Sequence, residues 1–387
     1  MRFSKVIRVL QSNKRNIYVS PLLRFESCSP SSFSRRQLHS NNSPTSFGIA
    51  FDIDGVIIRG ETPIGNSPQA LRKLYDDSGN LKIPYLFLTN GGGVPESKRA
   101  ADLSSLLGVN ILTSQVAQYI RSLTENRKRF QNALVLAVGK GEPATVMSEY
   151  GFKNVMSIDE YASYFDDIDP LSHYKHWTCK TEFAKNNASK EKALTESVKA
   201  AFIVSDPVDW SRDIQVLCDV LRYMGIPQEE SRPQPPVYFA SDDLEYKAAF
   251  PFNRLGMGAF RIALESIFNR STGSDLVYTS FGKPNPFVFK NAEAVLKQLL
   301  MSTHNGDNVV NNGESGSQTF KTLYMIGDNP SVDIKGARQA GHPWFSILTK
   351  TGVFNGILQN DREFPADLVV DTVEDAIDYI LKRECSS

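Results

Sequence analysis

The chain has 387 residues, of which 41% are hydrophobic and 22% are charged, a composition typical of a globular protein with one large or two medium domains. Lys plus Arg and Asp plus Glu both total 43, so net charge gives no argument for a nucleic-acid or membrane-surface partner. The four cysteines show no CxxC spacing, which argues against a disulfide framework and a zinc ribbon. No run of 18 apolar residues occurs, so we expect no integral membrane segment.

The first 46 residues differ in composition from the rest of the chain. They carry a single acid, Glu26, and many serines, together with eight basic residues: Arg2, Lys5, Arg8, Lys14, Arg15, Arg24, Arg35 and Arg36. This pattern is typical of a mitochondrial transit peptide, and basic residues interrupt the apolar run that a secretory signal needs. A disordered basic tail without a targeting role is the alternative. We therefore predict a mitochondrial protein, in the matrix, and leave residues 1–46 out of the fold.

From Phe47 onward, apolar strand-like runs alternate with amphipathic helical runs, which predicts βαβ units and a parallel sheet with helices on both faces. Strands are predicted at residues 49–57, 83–90, 133–139, 201–206, 237–243 and 322–329. Helices are predicted at 95–107, 211–224 and 286–300, and a further helix begins at Ser331. The polar segment 302–318 has the composition of a flexible surface loop.

Four short motifs lie at the ends of predicted strands, where ligands bind in open α/β sheets. They are FDIDGV (51–56), LTNGG (88–92), GKPNP (282–286) and MIGDNPSVDIKGA (325–337). In the first motif, Asp52 and Asp54 are close enough to repel each other unless a cation or a proton lies between them. Asp328 offers a third oxygen ligand from another strand, and oxygen ligands of this kind favour Mg²⁺. We therefore predict Mg²⁺ as the cofactor.

These residue types suit in-line displacement at phosphorus. Asp52 would be the nucleophile and form an aspartyl-phosphate, while Asp54 would protonate the leaving alcohol and then deprotonate water. Thr89 and the backbone N–H groups after it, those of Asn90 and Gly91, can hold phosphoryl oxygens. Lys283 supplies a fixed positive charge.

The last motif adds a further candidate for the metal site. Asp333 follows Asp328 by five residues and can bind the metal through water or orient Lys283. The predicted metal-site residues are therefore Asp52, Asp54, Asp328 and Asp333.

The set DxDGV, hhhTN, GKP and GDxxxxD resembles the four motifs of the haloacid dehalogenase-like (HAD) phosphatases, in the same order, over about residues 47–383. The dehalogenases proper lack a second aspartate at the place of Asp54, so the resemblance implies phosphoryl transfer. Only about 35 residues separate Asp54 from Thr89, so the large insertion lies between Asn90 and Lys283. That position is similar to class IIA, which contains the NagD-type, 4-nitrophenylphosphatase and phosphoglycolate phosphatases.

The resemblance to class IIA implies an α/β fold with a Rossmannoid HAD core and a smaller α/β cap of the C2 type. The core would comprise residues 47–128 and 279–387, and the cap residues 129–278. Asp243 and Gly258 lie in segments similar to the TNxD and GxG segments of the class, which implies that they bind substrate.

Further segments resemble a mitochondrial branch of the class, the one named for the cat eye syndrome critical region protein. They are FDIDGVIIRGETPI (51–64), SDPVDWSRDIQ (205–215) and KTGVFN (350–355). One departure from the wider class is the absence of a threonine before Asp333.

The function expected from the residues and the resemblance is hydrolysis of a small phosphorylated metabolite by a Mg²⁺-dependent phosphomonoesterase. A link to glycerophospholipid metabolism and a homodimer formed through the cap rest on the resemblance alone. The alternative from another class is a catalytically weak or inactive sensor or assembly factor that binds a phosphoryl ligand. A phosphotransferase or mutase, which would need an acceptor other than water, is a third reading.

Overall fold

The structure is a computed structural model that describes residues 47–118, 128–175, 187–223, 233–304, 320–357 and 359–385. All of them belong to one compact unit, Pro44–Ser387. The predicted transit peptide lies outside the described residues. So does most of the predicted loop 302–318, whose first residues instead end the helix Pro286–His304.

The first sheet has six strands, all parallel. Its order is Leu368–Val370, Trp344–Thr349, Thr322–Gly327, Phe47–Phe51, Tyr85–Thr89 and Val116–Gln118. The central strands are almost entirely buried and read as continuous apolar runs, FGIAF and TLYMIG, because helices cover both faces of a parallel sheet.

Five helices pack on the two faces of the first sheet: Ser67–Arg72, Glu96–Leu107, Pro286–His304, Lys335–Ala340 and Val373–Cys385. Alternate residues of one strand point to opposite faces. Ile49 therefore packs in the same cluster as Ile377, whereas its neighbour Ala50 packs with Phe289 on the other side. Each face of the first sheet thus has its own apolar core.

The second sheet has five parallel strands. Its order is Tyr278–Ser280, Val237–Phe239, Ala200–Ile203, Val135–Val138 and Val155–Ser157. Its helices are Pro143–Glu149, Ile158–Ser163, Asn187–Thr195, Trp210–Tyr223 and Met257–Thr272. The strand Tyr278–Ser280 belongs to this sheet, so the sheet extends past the boundary predicted at residue 278.

Short elements complete the described fold. Two antiparallel hairpins join Ile58–Arg59 to Thr62–Pro63 and Glu245–Tyr246 to Arg254–Leu255. The 3-10 turns are Thr113–Gln115 and Ser172–Tyr174, and Pro330–Ile334 forms a π-helical turn. In the described part of the chain, no helix combines the length and the apolar character that crossing a membrane requires. The prediction of an α/β fold of parallel sheets and helices is confirmed.

Candidate active site

The predicted site residues meet at the carboxyl ends of three neighbouring strands in the first sheet. Asp52 follows the strand Phe47–Phe51, Thr89 ends the next strand, and Asp328 follows Thr322–Gly327. The backbone N–H of Asp52 donates to the carbonyl of Ile326 (2.9 Å) and so continues the ladder. Adjacent parallel strands end at the same edge of the sheet, which is why motifs far apart in sequence form one site.

A group of three buried carboxylates forms the floor of the site. Asp52, Asp328 and Asp333 each offer an oxygen, and these oxygens lie within 4.8 Å of one another. The Nζ of Lys283 donates to Oδ1 of Asp52 (2.7 Å) and to Oδ1 of Asp333 (2.6 Å). One ammonium beside three carboxylates leaves an excess of negative charge in a buried place, which suits a divalent cation with oxygen ligands.

The electrostatics of these carboxylates fit the same donor set. Burial raises the pKa of Asp52 to about 7; Lys283 opposes that rise, and the charge of Asp333 adds to it. Burial, followed by the charges of Asp52 and Asp333, also holds the pKa of Asp328 well above its usual range. Burial and mutual repulsion thus disfavour the ionised forms of Asp52 and Asp328, and a hard cation held between their oxygens would favour those forms.

Backbone groups and glycines hold Asp328 in place. Its Oδ2 accepts a hydrogen bond from the N–H of Val353 (2.7 Å). Gly55 has φ +90°, and a Cβ there would lie 2.4 Å from Oδ2 of Asp328. At Gly352 a Cβ would lie 1.8 Å from the same oxygen. Side chains are therefore excluded on two sides, and the carboxylate has little room to move.

Asp54 lies apart from this group, on the wall of the cleft. It does not belong to the described group of three carboxylates whose oxygens all lie within 4.8 Å of one another. Its Oδ2 lies 3.9 Å from the guanidinium of Arg99. Desolvation raises the pKa of Asp54, against the opposing charges of Arg99 and Lys140, which favours a carboxyl group that holds a proton. The metal-binding role predicted for Asp54 stays a prediction.

Asn90 connects the backbone of Lys283 to Asp243, which lies in the segment after the second-sheet strand Val237–Phe239. Its Oδ1 accepts from the N–H of Lys283 (2.9 Å), and its Nδ2 donates to the carbonyl of Lys283 (3.2 Å) and to Oδ1 of Asp243 (2.5 Å). Burial raises the pKa of Asp243 to about 8, against the charge of Lys283. The oxygen and the nitrogen of the Asn90 side-chain amide thus both have protein partners. Their bonds to Lys283 fix the backbone from which the Lys283 side chain extends.

The turn after Thr89 is closed by its own side chain. The hydroxyl of Thr89 accepts from the N–H of Gly91 (2.9 Å). A Cβ at Gly91 would lie 3.3 Å from Oδ2 of Asp54, so a glycine here keeps the wall next to Asp54 open.

Residues from both sheets line a cleft of about 90 Å³. The predicted residues that line it are Asp52, Asp54, Thr89, Asn90, Gly91, Asp243, Asp328 and Asp333. Gly258 is not among the described lining residues, while Gly256 is. Instead, the N–H of Gly258 donates to the carbonyl of Asp243 (2.8 Å). The contact of Gly258 with substrate stays a prediction. Its hydrogen bond to the Asp243 carbonyl holds the backbone of Asp243, which does line the cleft.

Sequence reasoning missed several lining residues, among them Lys140, Asp206 and Tyr246. Lys140 and Asp206 form an ion pair (2.8 Å), and the ammonium of Lys140 lies 5.5 Å from the ring centre of Tyr246. Lys140 follows the strand Val135–Val138, and Asp206 follows Ala200–Ile203. The signal that located Asp52, a polar residue just after a buried strand, could have located both.

Two family models match the chain. The haloacid dehalogenase-like hydrolase model matches residues 49–153, and the HAD-hydrolase-like model matches residues 280–376. A relative, the mitochondrial hydrolase YKR070W of Saccharomyces cerevisiae, is 32% identical over 353 residues, which cover 87% of this chain and 95% of the relative. The chain belongs to the haloacid dehalogenase-like hydrolases. It is therefore an enzyme of the hydrolase class.

A second relative of this HAD hydrolase is a fusion protein. The cardiolipin synthase (CMP-forming)/mitochondrial hydrolase fusion protein of Schizosaccharomyces pombe is 31% identical over 341 residues. The match covers 87% of this chain and 53% of the fusion protein. Both relatives are named as mitochondrial hydrolases, so the predicted mitochondrial localisation is confirmed.

Solved structures share the fold of this HAD hydrolase at low sequence identity. The 4-nitrophenylphosphatase of Thermotoga maritima has a TM-score of 0.53 at 17% identity, with 86% of this chain and 96% of that chain covered. NagD from Escherichia coli has a TM-score of 0.51 at 15% identity, with 86% and 98% covered. The predicted HAD fold is therefore confirmed. The first sheet belongs to its core, and the second sheet to its cap.

Proposed function

We propose that this HAD hydrolase is a phosphomonoesterase in which Asp52 attacks the phosphorus of a small organic phosphate. The observation that carries the proposal is the buried ion pair between Lys283 and Asp52 (2.7 Å), within the three-carboxylate group on the cleft floor. Lys283 opposes the effect of burial on Asp52 and so favours the ionised, nucleophilic form. A carboxylate that serves only as a ligand would not need a lysine fixed beside it.

We propose Mg²⁺ as the cofactor, held by Asp52 and Asp328 with Asp333 beside them. When bound, Mg²⁺ supplies positive charge that lets a phosphate dianion approach a strongly acidic site. Asp333 has a second role in this proposal, because it accepts from Lys283 (2.6 Å) and thereby aims the ammonium toward Asp52. The donor set consists of oxygens only, which matches the preference of Mg²⁺ over softer metals.

The reaction proceeds in two displacements. A carboxylate oxygen of Asp52 bonds to phosphorus as the bond from phosphorus to the ester oxygen breaks, and Asp54 gives its proton to the leaving alcohol. Asp54 then takes a proton from water as that water attacks the phosphorus of the aspartyl-phosphate. This second step releases inorganic phosphate and restores both carboxyl groups.

The phosphoryl oxygens need positive partners during both displacements. The hydroxyl of Thr89, the backbone N–H group of Asn90 and the ammonium of Lys283 are the groups proposed to hold them. The N–H of Gly91 donates to the hydroxyl of Thr89, so it would join them only after exchanging that bond for one to a phosphoryl oxygen. Thr89, Asn90 and Gly91 lie at the carboxyl edge of the first sheet, and Lys283 reaches Asp52 at that edge from the loop after the strand Tyr278–Ser280.

The substrate proposed is a phosphomonoester of the glycerol phosphate type, linked to glycerophospholipid metabolism. The S. pombe relative joins its hydrolase part to a cardiolipin synthase, and a glycerol phosphate phosphatase of Mycobacterium tuberculosis shares the fold (TM-score 0.51, 18% identity, 85% of this chain and 75% of that chain covered). Asp243, Lys140 and Tyr246 line the cap side of the cleft and would contact the alcohol part of the substrate. The predicted homodimer through the cap remains a proposal.

The first test measures phosphate release from a panel of phosphomonoesters, with and without Mg²⁺. We expect turnover that needs the metal and that Asp52→Asn abolishes, with phosphate trapped on the Asp52 peptide of the wild type after an acid quench. Asp77→Asn, at an exposed site, is the matched control and should keep full activity. Binding of phosphate analogues without turnover of any ester would instead favour the sensor reading.

Asp54→Asn separates proton transfer from the attack itself. An alkyl alcohol is a poor leaving group and needs the proton, whereas 4-nitrophenolate leaves without it. We expect the variant to lose about 10²- to 10⁴-fold in kcat on glycerol phosphate and much less on 4-nitrophenyl phosphate. Equal losses on both esters would contradict the role of Asp54 as general acid.

A further inference from the structure

An exposed apolar hairpin stands at the edge of the cleft. We call residues 244–255 the aromatic hairpin; its two short strands are Glu245–Tyr246 and Arg254–Leu255. Phe252 is 72% exposed and Phe250 53% exposed, and Leu244 and Leu255 are also exposed. Such a density of exposed large apolar side chains is costly in water and marks an interaction surface.

The base of the aromatic hairpin belongs to the cleft, and its tip does not. Glu245 and Tyr246 line the cleft, whereas Phe250 and Phe252 are not among its described lining residues. On the core side, Gly60 of the hairpin Ile58–Pro63 lies against Ala249: a Cβ on Gly60 would lie 3.3 Å from that of Ala249. The tip therefore stands beside the cleft, next to an exposed edge of the core.

The charge of the tip complements an anionic surface. Residues 247–255 carry Lys247 and Arg254 and no acid. The guanidinium of Arg254 lies 4.6 Å from the ring centre of Phe250. The single acid of the aromatic hairpin, Glu245, faces the cleft and accepts from Nδ2 of Asn253 (2.9 Å). Aromatic rings interleaved with basic groups are the composition that enters the headgroup region of anionic lipid bilayers.

We propose that the aromatic hairpin docks this hydrolase on an anionic lipid surface, with the Phe250 and Phe252 rings in the interface and the cleft beside the headgroups. Lys247 and Arg254 would contact lipid phosphates. Docking of this kind is reversible, because two rings and two charges bury little area. The docking itself is independent of the chemistry in the cleft. Its consequence, that the phosphomonoester is presented on a lipid headgroup, rests on the proposed function.

The test compares full-length variants for binding to phosphatidylcholine vesicles with and without cardiolipin. The basic residues 1–46 are present in every variant, so their contribution to binding is the same throughout. Phe250→Ser with Phe252→Ser should weaken partitioning into the cardiolipin vesicles about tenfold. Ile262→Ser with Val277→Ser, which changes exposed apolar residues elsewhere in the cap, should leave it unchanged. Equal binding by wild type and both variants would overturn the proposal.

A probe in the hairpin reports on insertion at this place. Tryptophan introduced by Phe252→Trp should show blue-shifted emission and quenching by brominated lipid. Tryptophan introduced by Val277→Trp should show neither, because Val277 precedes the strand Tyr278–Ser280, whose other end leads toward the cleft. Quenching at Val277 alone, or at neither position, would contradict the proposed orientation.

Two measurements separate this proposal from the proposed hydrolysis and from folding. Asp52→Asn should bind vesicles as wild type does, so loss of catalysis and loss of docking are distinct outcomes. The Phe250→Ser, Phe252→Ser variant should keep wild-type hydrolysis of soluble 4-nitrophenyl phosphate, which shows that it is folded. Dissociation of a dimer by this variant with unaltered vesicle binding would assign the hairpin to a second copy of the chain and overturn the docking proposal.

Discussion

Asp213 is a carboxylate whose neighbours only partly offset its burial. It lies in the first turn of the helix Trp210–Tyr223 and is 1% exposed. Arg212 pairs with it (2.7 Å) but also pairs with Asp159 (2.6 Å). Burial raises the pKa of Asp213 to about 6 from its ordinary value of 3.8, despite the charge of Arg212. The folded protein therefore holds this proton more tightly than the unfolded chain does.

The raised pKa predicts a pH dependence of stability. Between the two pKa values the folded state binds more protons, so the free energy of unfolding falls as pH rises from about 4 to about 6. Asp213→Asn removes this dependence. We expect the stability of wild type relative to the variant to drop by about 2 kcal/mol between pH 4.5 and 7.5, as measured by urea denaturation. Parallel pH profiles for the two proteins would contradict the assigned pKa.

At the scale of elements, the loop after Thr89 packs tightly on the cap. The N–H of Glu142 donates to the carbonyl of Gly93 (2.6 Å). Gly93 has φ +95°, and a Cβ there would lie 2.4 Å from the carbonyl oxygen of Lys140. The backbone conformation and the close approach both require glycine at this position.

Gly93→Ala tests the close approach between core and cap. Gly273→Ala is the matched control, because Gly273 also has positive φ (+70°) but no atom near the place of a Cβ. The control substitution should lower the free energy of unfolding by about 1 kcal/mol, from the left-handed backbone conformation alone. Gly93→Ala should lower the free energy of unfolding by about 3 kcal/mol in thermal unfolding, because the backbone segments around Gly93 and Lys140 must also move apart. It should also lower kcat/KM. Equal losses in the free energy of unfolding would contradict the prediction, because they would mean that the two segments separate without loss of stability.

The six apolar runs predicted as strands match six of the eleven strands in the two described parallel sheets, because buried parallel strands are continuous and apolar. The run 49–57 contains part of the strand Phe47–Phe51, and the helix predicted at 95–107 is Glu96–Leu107. The aromatic hairpin escaped prediction because its strands have two residues each and its apolar residues are exposed. Short exposed elements leave no periodic pattern to recognise.

The residues of the candidate site were predictable where a polar residue directly follows a predicted strand. Asp52, Asp328 and Asp333 come together as the strand ends suggested. The position of Asp54 on the wall of the cleft depends on its neighbours Arg99 and, in the cap, Lys140. These contacts cannot be predicted from the local motif around Asp54. The same holds for Asn90, whose partners Lys283 and Asp243 lie more than 150 positions away.

At the scale of the whole molecule, the first strand of the described structure limits where the predicted transit peptide could be removed. Phe47 already pairs with Thr322 in the central ladder of the first sheet. We therefore predict that the mitochondrial form of the protein begins at or before Phe47, as N-terminal sequencing of protein purified from mitochondria would show. A start after Phe47 would remove part of the strand that leads to Asp52 and would contradict the prediction.

The central position of the strand Phe47–Phe51 has a consequence for how the protein is made. One neighbour, Tyr85–Thr89, follows soon in the chain, whereas the other, Thr322–Gly327, arrives only after the whole cap. Asp52 and its partner Lys283 are 231 positions apart. A chain that emerges from its amino end therefore exposes an apolar strand edge for most of its synthesis or import, a state prone to aggregation. Yield of folded enzyme should thus depend on chaperones that shield this edge until the strand Thr322–Gly327 arrives.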